Sequence, residues 1–139
     1  MNITTTQLPG NNPVTVMKLI GELDASCYLD VIAAAKQLYQ QGARNLLLDL
    51  SEMTFMSSAG LMALHSITML MQGKDLPNPE DGWGAMHNIA HDVDQTTGFA
   101  THCKLLRPQP RVAKTLTITG FNQILQIFTN QDEALASFQ

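Results

Sequence analysis

The stretch that most constrains this chain is "LLLDLSEMTFMSSAGLMAL", Leu46 to Leu64. Its four leucines leave no polar face between Asn45 and Ser51 apart from Asp49, which predicts a short strand buried on both sides. A strand of that kind needs helices as cover. One is predicted where Leu61, Leu64, Ile67, Thr68 and Met71 share a stripe behind two serines, with Gly73 as its stop. A second is predicted over Ser26 to Gln41, where Tyr28, Ile32, Ala35, Leu38 and Tyr39 recur at three- and four-residue steps before Gly42. Helices alternating with buried strands make an α/β order.

The turn formers "GNNP", Gly10 to Pro13, separate a first strand near Ile3 to Leu8 from "VTVMKLIGEL", predicting a β-hairpin. Beyond the central helix the texture changes: Lys74 to Thr101 carries prolines, glycines and acids with little apolar period, so residues 74–101 are expected to be an insertion. "CKLLRP" predicts another short strand, and "PRVAKTLTITGF" a helix with Val112, Leu116, Ile118 and Phe121 facing inward. "QILQIF" is a last candidate strand, and Asn130 can cap a terminal helix whose Asp132 and Glu133 suit its positive end.

At 139 residues the chain fits a single domain, 1–139, with a core that needs no metal or disulfide. A charged fraction of 14% and a net charge of −4 argue against disorder and against a nucleic-acid groove, so no nucleic-acid partner is expected. Cys27 and Cys103 have no paired spacing and are expected to be buried, reduced thiols. The N-terminus lacks a basic region followed by an apolar stretch, and no window is long and apolar enough to span a membrane. The expectation is a cytoplasmic protein without direct membrane insertion.

By itself a serine ahead of a helix is most simply a cap. A serine nucleophile has little support, because "FMSSAG" lacks the glycines of a nucleophile elbow and no His and Asp partners are placed by the sequence. No Walker-type or dinucleotide-binding glycine pattern appears, and no cofactor is expected. His87 and His91 are four apart and are the candidate metal ligands, with Asp92 or Asp94 as oxygen donors. The simpler reading is a solvated pair above Met86, Ile89, Ala90 and Val93, with no metal bound. Trp83 between two glycines is a candidate partner contact, and His65 is expected on the helix surface or rim.

Three segments, "GELDAS" (Gly21 to Ser26), "LLLDLSEMTFMSSAGLMAL" and "KLLRPQPRVAKTLTITGF", together resemble the STAS domain family, typified by bacterial anti-sigma factor antagonists. The family's "DLS", its aromatic and its "D-S-x-G" correspond to Asp49-Leu50-Ser51, Phe55 and Ser57-Ser58-Ala59-Gly60. Ser57 stands where the family usually carries aspartate. The resemblance implies an α/β fold with a mixed four- or five-stranded sheet and about four helices mainly on one face. It also implies a non-enzymatic partner switch: Ser58 is the phosphorylation site, the unmodified domain binds an anti-sigma factor that is often itself a serine kinase, and a phosphatase restores binding. Ser57, Thr54, Met56 and Gly60 would surround Ser58 as partner-binding residues, with Glu22 and Asp24 on the neighbouring loop. Alternatives left open are a STAS subunit of a transport or scaffold complex that is never phosphorylated, and a small metal-binding or hydrolytic module using the His-containing insertion.

Overall fold

The computed structural model describes residues 1–73 and 100–139. Nearly all of the expected insertion, with His87, His91 and Trp83, lies outside the described residues. The elements in chain order are β1 (Asn2–Leu8), β2 (Val14–Leu23), α1 (Tyr28–Gln40), β3 (Leu46–Asp49), β4 (Met53–Met56) and α2 (Ser58–Met71). After residue 99 follow β5 (Cys103–Leu106), α3 (Pro110–Thr119), a 3-10 turn (Phe121–Gln123), β6 (Ile127–Phe128) and α4 (Gln131–Ala136).

Among the described residues six strands form one mixed sheet of order β1-β2-β3-β5-β6, with β4 paired to β2 off that path. β1 and β2 are an antiparallel hairpin; the remaining pairs are parallel. The sheet therefore has more strands than the four or five expected, and the unforeseen one is β4. Its four residues follow a turn that Asp49 builds: the carboxylate Oδ1 accepts from the Ser51 amide at 3.0 Å, an aspartate turn that offsets the chain after the buried leucines and lets β4 run on in the direction of β3, parallel to β2.

Successive side chains of a strand point to opposite faces, which divides the leucines of β3 between two cores. Leu46 and Leu48 join Met17, Leu19 and Leu105 under α1, α2 and α3, in a cluster that also takes in Val31, Leu64, Ile67, Val112 and Leu116. Leu47 joins Val14, Val16 and Leu106 on the other face, beneath Ala134 of α4 and Phe138 just after it. Among the described residues three helices thus lie on one face and one short helix on the other.

Burial of α2 goes beyond a stripe. Eleven of its residues are buried, His65, Ser66 and Thr68 among them, because the helix packs between α1 and the sheet and has little solvent face left. His65 is therefore not on the surface or rim as expected; it is 8% exposed, with its ring edge-on to Phe121. Ile118 is the opposite case. Expected to face inward, it is 73% exposed, since it stands six residues after Val112, roughly 240° round a helix of 3.6 residues per turn. The strand expected over "QILQIF" shrinks to Ile127–Phe128, because Phe121–Gln123 winds into the 3-10 turn.

Both cysteines are buried free thiols. Burial pushes the Cys103 thiol up to about 12, so it stays protonated and packs as a small apolar group. Among the described residues no helix is long and apolar enough to cross a membrane.

Candidate functional site

β2 makes the site possible by bending. At Gly21, whose φ of 110° is open to glycine at little cost, the register slips between Gly21 and Glu22. Upstream of the slip β2 pairs with β3; downstream Glu22 lies beside Phe55 and Leu23 beside Met56 of β4. The Ser57 amide then donates to the Leu23 carbonyl at 2.9 Å. Glu22 and Asp24 are thereby brought to the same end of the sheet as Thr54, Ser57 and Ser58, the neighbourhood expected from sequence.

The two serines have different conformations. Ser57 is extended, with φ −88° and ψ 179°, and its side chain caps α2 by accepting from the Gly60 amide at 3.4 Å. Its carbonyl accepts from the Leu61 amide at 3.1 Å. Ser58 is the first helical residue and is exposed. A helix start leaves its first amides without intrahelical acceptors and carries a partial positive charge, so an anion on the Ser58 side chain meets a favourable field.

Met56 and Gly60, both expected to contact a partner, are buried. A Cβ on Gly60 would stand 2.7 Å from the Met56 side chain and 2.9 Å from the Leu23 carbonyl, closer than packed atoms come. These two residues hold α2 against the end of β2, and so fix Ser58 from beneath without reaching solvent. Glu22, Thr54 and Ser58 are exposed, and Asp24 and Ser57 are half-buried.

Asp24 organises the second loop. Its Oδ1 accepts from the amide of Ser26 at 2.9 Å and from the Ser26 hydroxyl at 2.5 Å, and its carbonyl accepts from the Tyr28 amide at 3.0 Å. The Ser26 hydrogen bonds hold the Asp24 carboxyl below its ordinary range, because they favour the ionised form. The buried Cys27 thiol donates to the Glu22 carbonyl at 3.3 Å, tying the loop down from inside.

Sequence reasoning passed over three neighbours. The Arg111 guanidinium sits over the Phe55 ring at 5.5 Å, and Gln109 Nε2 donates to the Ser51 carbonyl at 2.9 Å, joining the start of α3 to the β3–β4 turn. Leu29 is 51% exposed in the first turn of α1, just after the Asp24 loop. Pro110 was the available signal for Arg111, since a proline at a helix start puts the next residue in the first turn. A groove of about 580 Å³ lies at the opposite end of the sheet, between the β1–β2 turn and the Gly42–Asn45 segment, and is not lined by Ser58, Thr54 or Glu22.

Among the described residues no group of three His, Cys, Asp or Glu side chains could hold a metal ion. His102 lies apart from Ser58, its Nδ1 2.9 Å from Asn45 Oδ1 just before β3.

The structure resembles an anti-sigma factor antagonist from Mycobacterium paratuberculosis, with a TM-score of 0.65 and 20% identity over 99% of this chain and 94% of that one. It also resembles the anti-sigma factor antagonist SpoIIAA in its unphosphorylated form, with a TM-score of 0.57 and 19% identity over 95% of this chain and 93% of that one. A Bacillus structure of SpoIIAA in the phosphorylated form matches with a TM-score of 0.53 and 18% identity, over 98% of this chain and 100% of that one. At these identities the shared property is the fold. No curated protein matches the sequence. The family model for the STAS domain matches residues 5–75, just over half of the chain and the whole of the Glu22 to Gly60 surface; the chain belongs to the STAS domain family.

Proposed function

We propose that this STAS domain is a phospho-regulated docking protein of the anti-sigma factor antagonist kind, non-enzymatic, whose surface around Ser58 binds an anti-sigma factor that also acts as a serine kinase. The carrying observation is the division of labour between the serines: Ser57 caps α2, which leaves the exposed Ser58 hydroxyl without a capping role. Phosphorylation there adds roughly 1.5 to 2 negative charges and three acceptor oxygens. The helix start accommodates that charge. A partner packed over the same spot would have to bury it without a matched cation, and beside Glu22 and Asp24 the added charge meets like charge. Modification therefore blocks docking and leaves the fold intact, and a phosphatase reverses the block.

Ser57 in the place of the family's aspartate favours a second reading, a STAS subunit of a transport or scaffold complex that is never modified. The two readings part on one measurement. Incubation with the partner kinase and ATP, followed by mass spectrometry, is expected to place one phosphate on Ser58, with none on Ser58→Ala. Ser58→Asp is expected to weaken partner binding at least about tenfold, equivalent to about 1.4 kcal/mol, while Ser58→Ala binds as the wild type does. An unmodified Ser58, or a Ser58→Asp variant that binds normally, refutes the switch.

A further inference from the structure

The two edges of the sheet are unlike. β6 is two residues long and pairs with β5 at only Leu105–Ile127 and Leu106–Phe128, so it offers little edge to another strand. β1 is seven residues long, pairs with β2 in unbroken register from Asn2 opposite Ile20 to Leu8 opposite Val14, and stands at the end of the strand order. Edge strands are normally guarded by lysine, proline, a bulge or short length. β1, "NITTTQL", contains no charged residue and no proline, and its register with β2 shows no bulge. Three successive β-branched threonines favour extended pairing.

The turn after the strand is also tethered. Asn12, in that turn, donates from Nδ2 to the Phe138 carbonyl at 3.0 Å, and its carbonyl accepts from Gln139 Nε2 at 3.0 Å. An edge held in this way loses little conformational freedom when another strand adds to it.

We propose that β1 is the interface between two copies of this chain, paired antiparallel about a twofold axis at Thr5. Centring on Thr5 gives full overlap: Thr5 faces its own copy, Thr4 faces Thr6, Ile3 faces Gln7 and Asn2 faces Leu8. Cross-strand threonine pairs are favourable, and a neutral strand can face itself without opposing like charges. A second copy is the occupant that fits because the pairing is self-complementary and consumes the long edge that stands open among the described residues of each chain, so the assembly closes at two and does not propagate. Seven paired residues are a small interface, and the dimer should be of micromolar strength.

Analytical ultracentrifugation over about 1 to 200 µM, a span that brackets such a constant, is the test. The wild type is expected to pass from 15.2 kDa toward twice that mass, with amides of residues 2–8 gaining hydrogen-exchange protection at the higher concentration. Thr5→Lys and Thr5→Glu, each on an exposed side chain, should each weaken the dimer at least about tenfold by facing like charges across the axis, and an equimolar mixture should restore it. A wild type that stays monomeric throughout overturns the proposal. So does a dimer in which residues 2–8 gain no protection, or one indifferent to charge at Thr5 in variants with native circular dichroism.

Discussion

The two faces of the sheet solve the same burial problem at different depths. On the face under α1, α2 and α3, β2 and β5 contribute Met17, Leu19, Cys103 and Leu105, and the polar residues that α2 buries there, His65, Ser66 and Thr68, include no lysine, arginine or carboxylate. On the face under α4 the same strands contribute Val14, Val16 and Leu106, but also Lys18 and Lys104, with Asp49 from β3. Lys104 is 6% exposed, and its Nζ donates to the Ser137 hydroxyl at 2.9 Å and carbonyl at 3.2 Å while facing the Phe138 ring at 4.7 Å and the Phe128 ring at 5.8 Å. One short helix leaves water close enough for an ammonium to be held by a helix C-terminus and two rings. Three helices over the other face leave no such route, and a charge there would be stranded.

Leu47 and Leu48 are the sharpest test of that difference, because they are adjacent, identical and both 0% exposed, yet face opposite cores. Leu48→Ala is expected to cost about 3 to 5 kcal/mol, and Leu47→Ala about 2 to 3, since the thinner layer can relax into the space. Equal losses in urea unfolding would break the comparison.

Lys104 gives the next largest effect. Burial lowers its pKa from the ordinary lysine value, so the folded state sheds this proton before the unfolded state does. The penalty is fully present at neutral pH and is relieved as pH rises from the lowered pKa toward the ordinary one, so stability gains there. Cys103, pushed up to about 12, works in the other direction, losing stability above the ordinary thiol range. The difference between wild type and Lys104→Met cancels the cysteine. That difference should shift in favour of the wild type between neutrality and about pH 10.4, starting within about 1 kcal/mol at pH 7. A flat difference would mean that the thin face hydrates Lys104 as well as bulk water does.

The smallest effects come where the thick face meets solvent, at the start of α2. Ser57→Ala should lose about 1 kcal/mol with the cap, whereas Ser58→Ala should stay within about 0.5 kcal/mol. Thermal unfolding of the two variants side by side would reverse the assignment of roles if Ser58→Ala were the weaker.

Much of this was legible in the chain. The hairpin turn at Gly10 to Pro13, the buried leucines of β3 and the serine-led start of α2 each announce themselves through local chemistry. β4 does not, because Met53–Met56 mixes buried, exposed and half-buried residues, and its pairing depends on a bend at Gly21 far upstream. His65 was misread because a stripe pattern cannot register a helix enclosed on several sides, and Ile118 because one isoleucine off the helical phase was counted with those on it. At the site, two adjacent serines have the same chemistry on paper. Backbone geometry separates them, and only folding places Arg111 over Phe55.

The bonds from Asn12 to Phe138 and Gln139 span 126 and 127 positions of sequence, and they bear on the timing of biosynthesis. Val14, Val16, Leu47 and Leu106 receive their cover from Ala134 and Phe138, which leave the ribosome on the order of 10 s after the first of those strands at ordinary elongation rates. Through that interval one side of the nascent sheet is bare and its turn untethered, so the growing chain is most open to chaperones on the face that the finished protein covers most thinly.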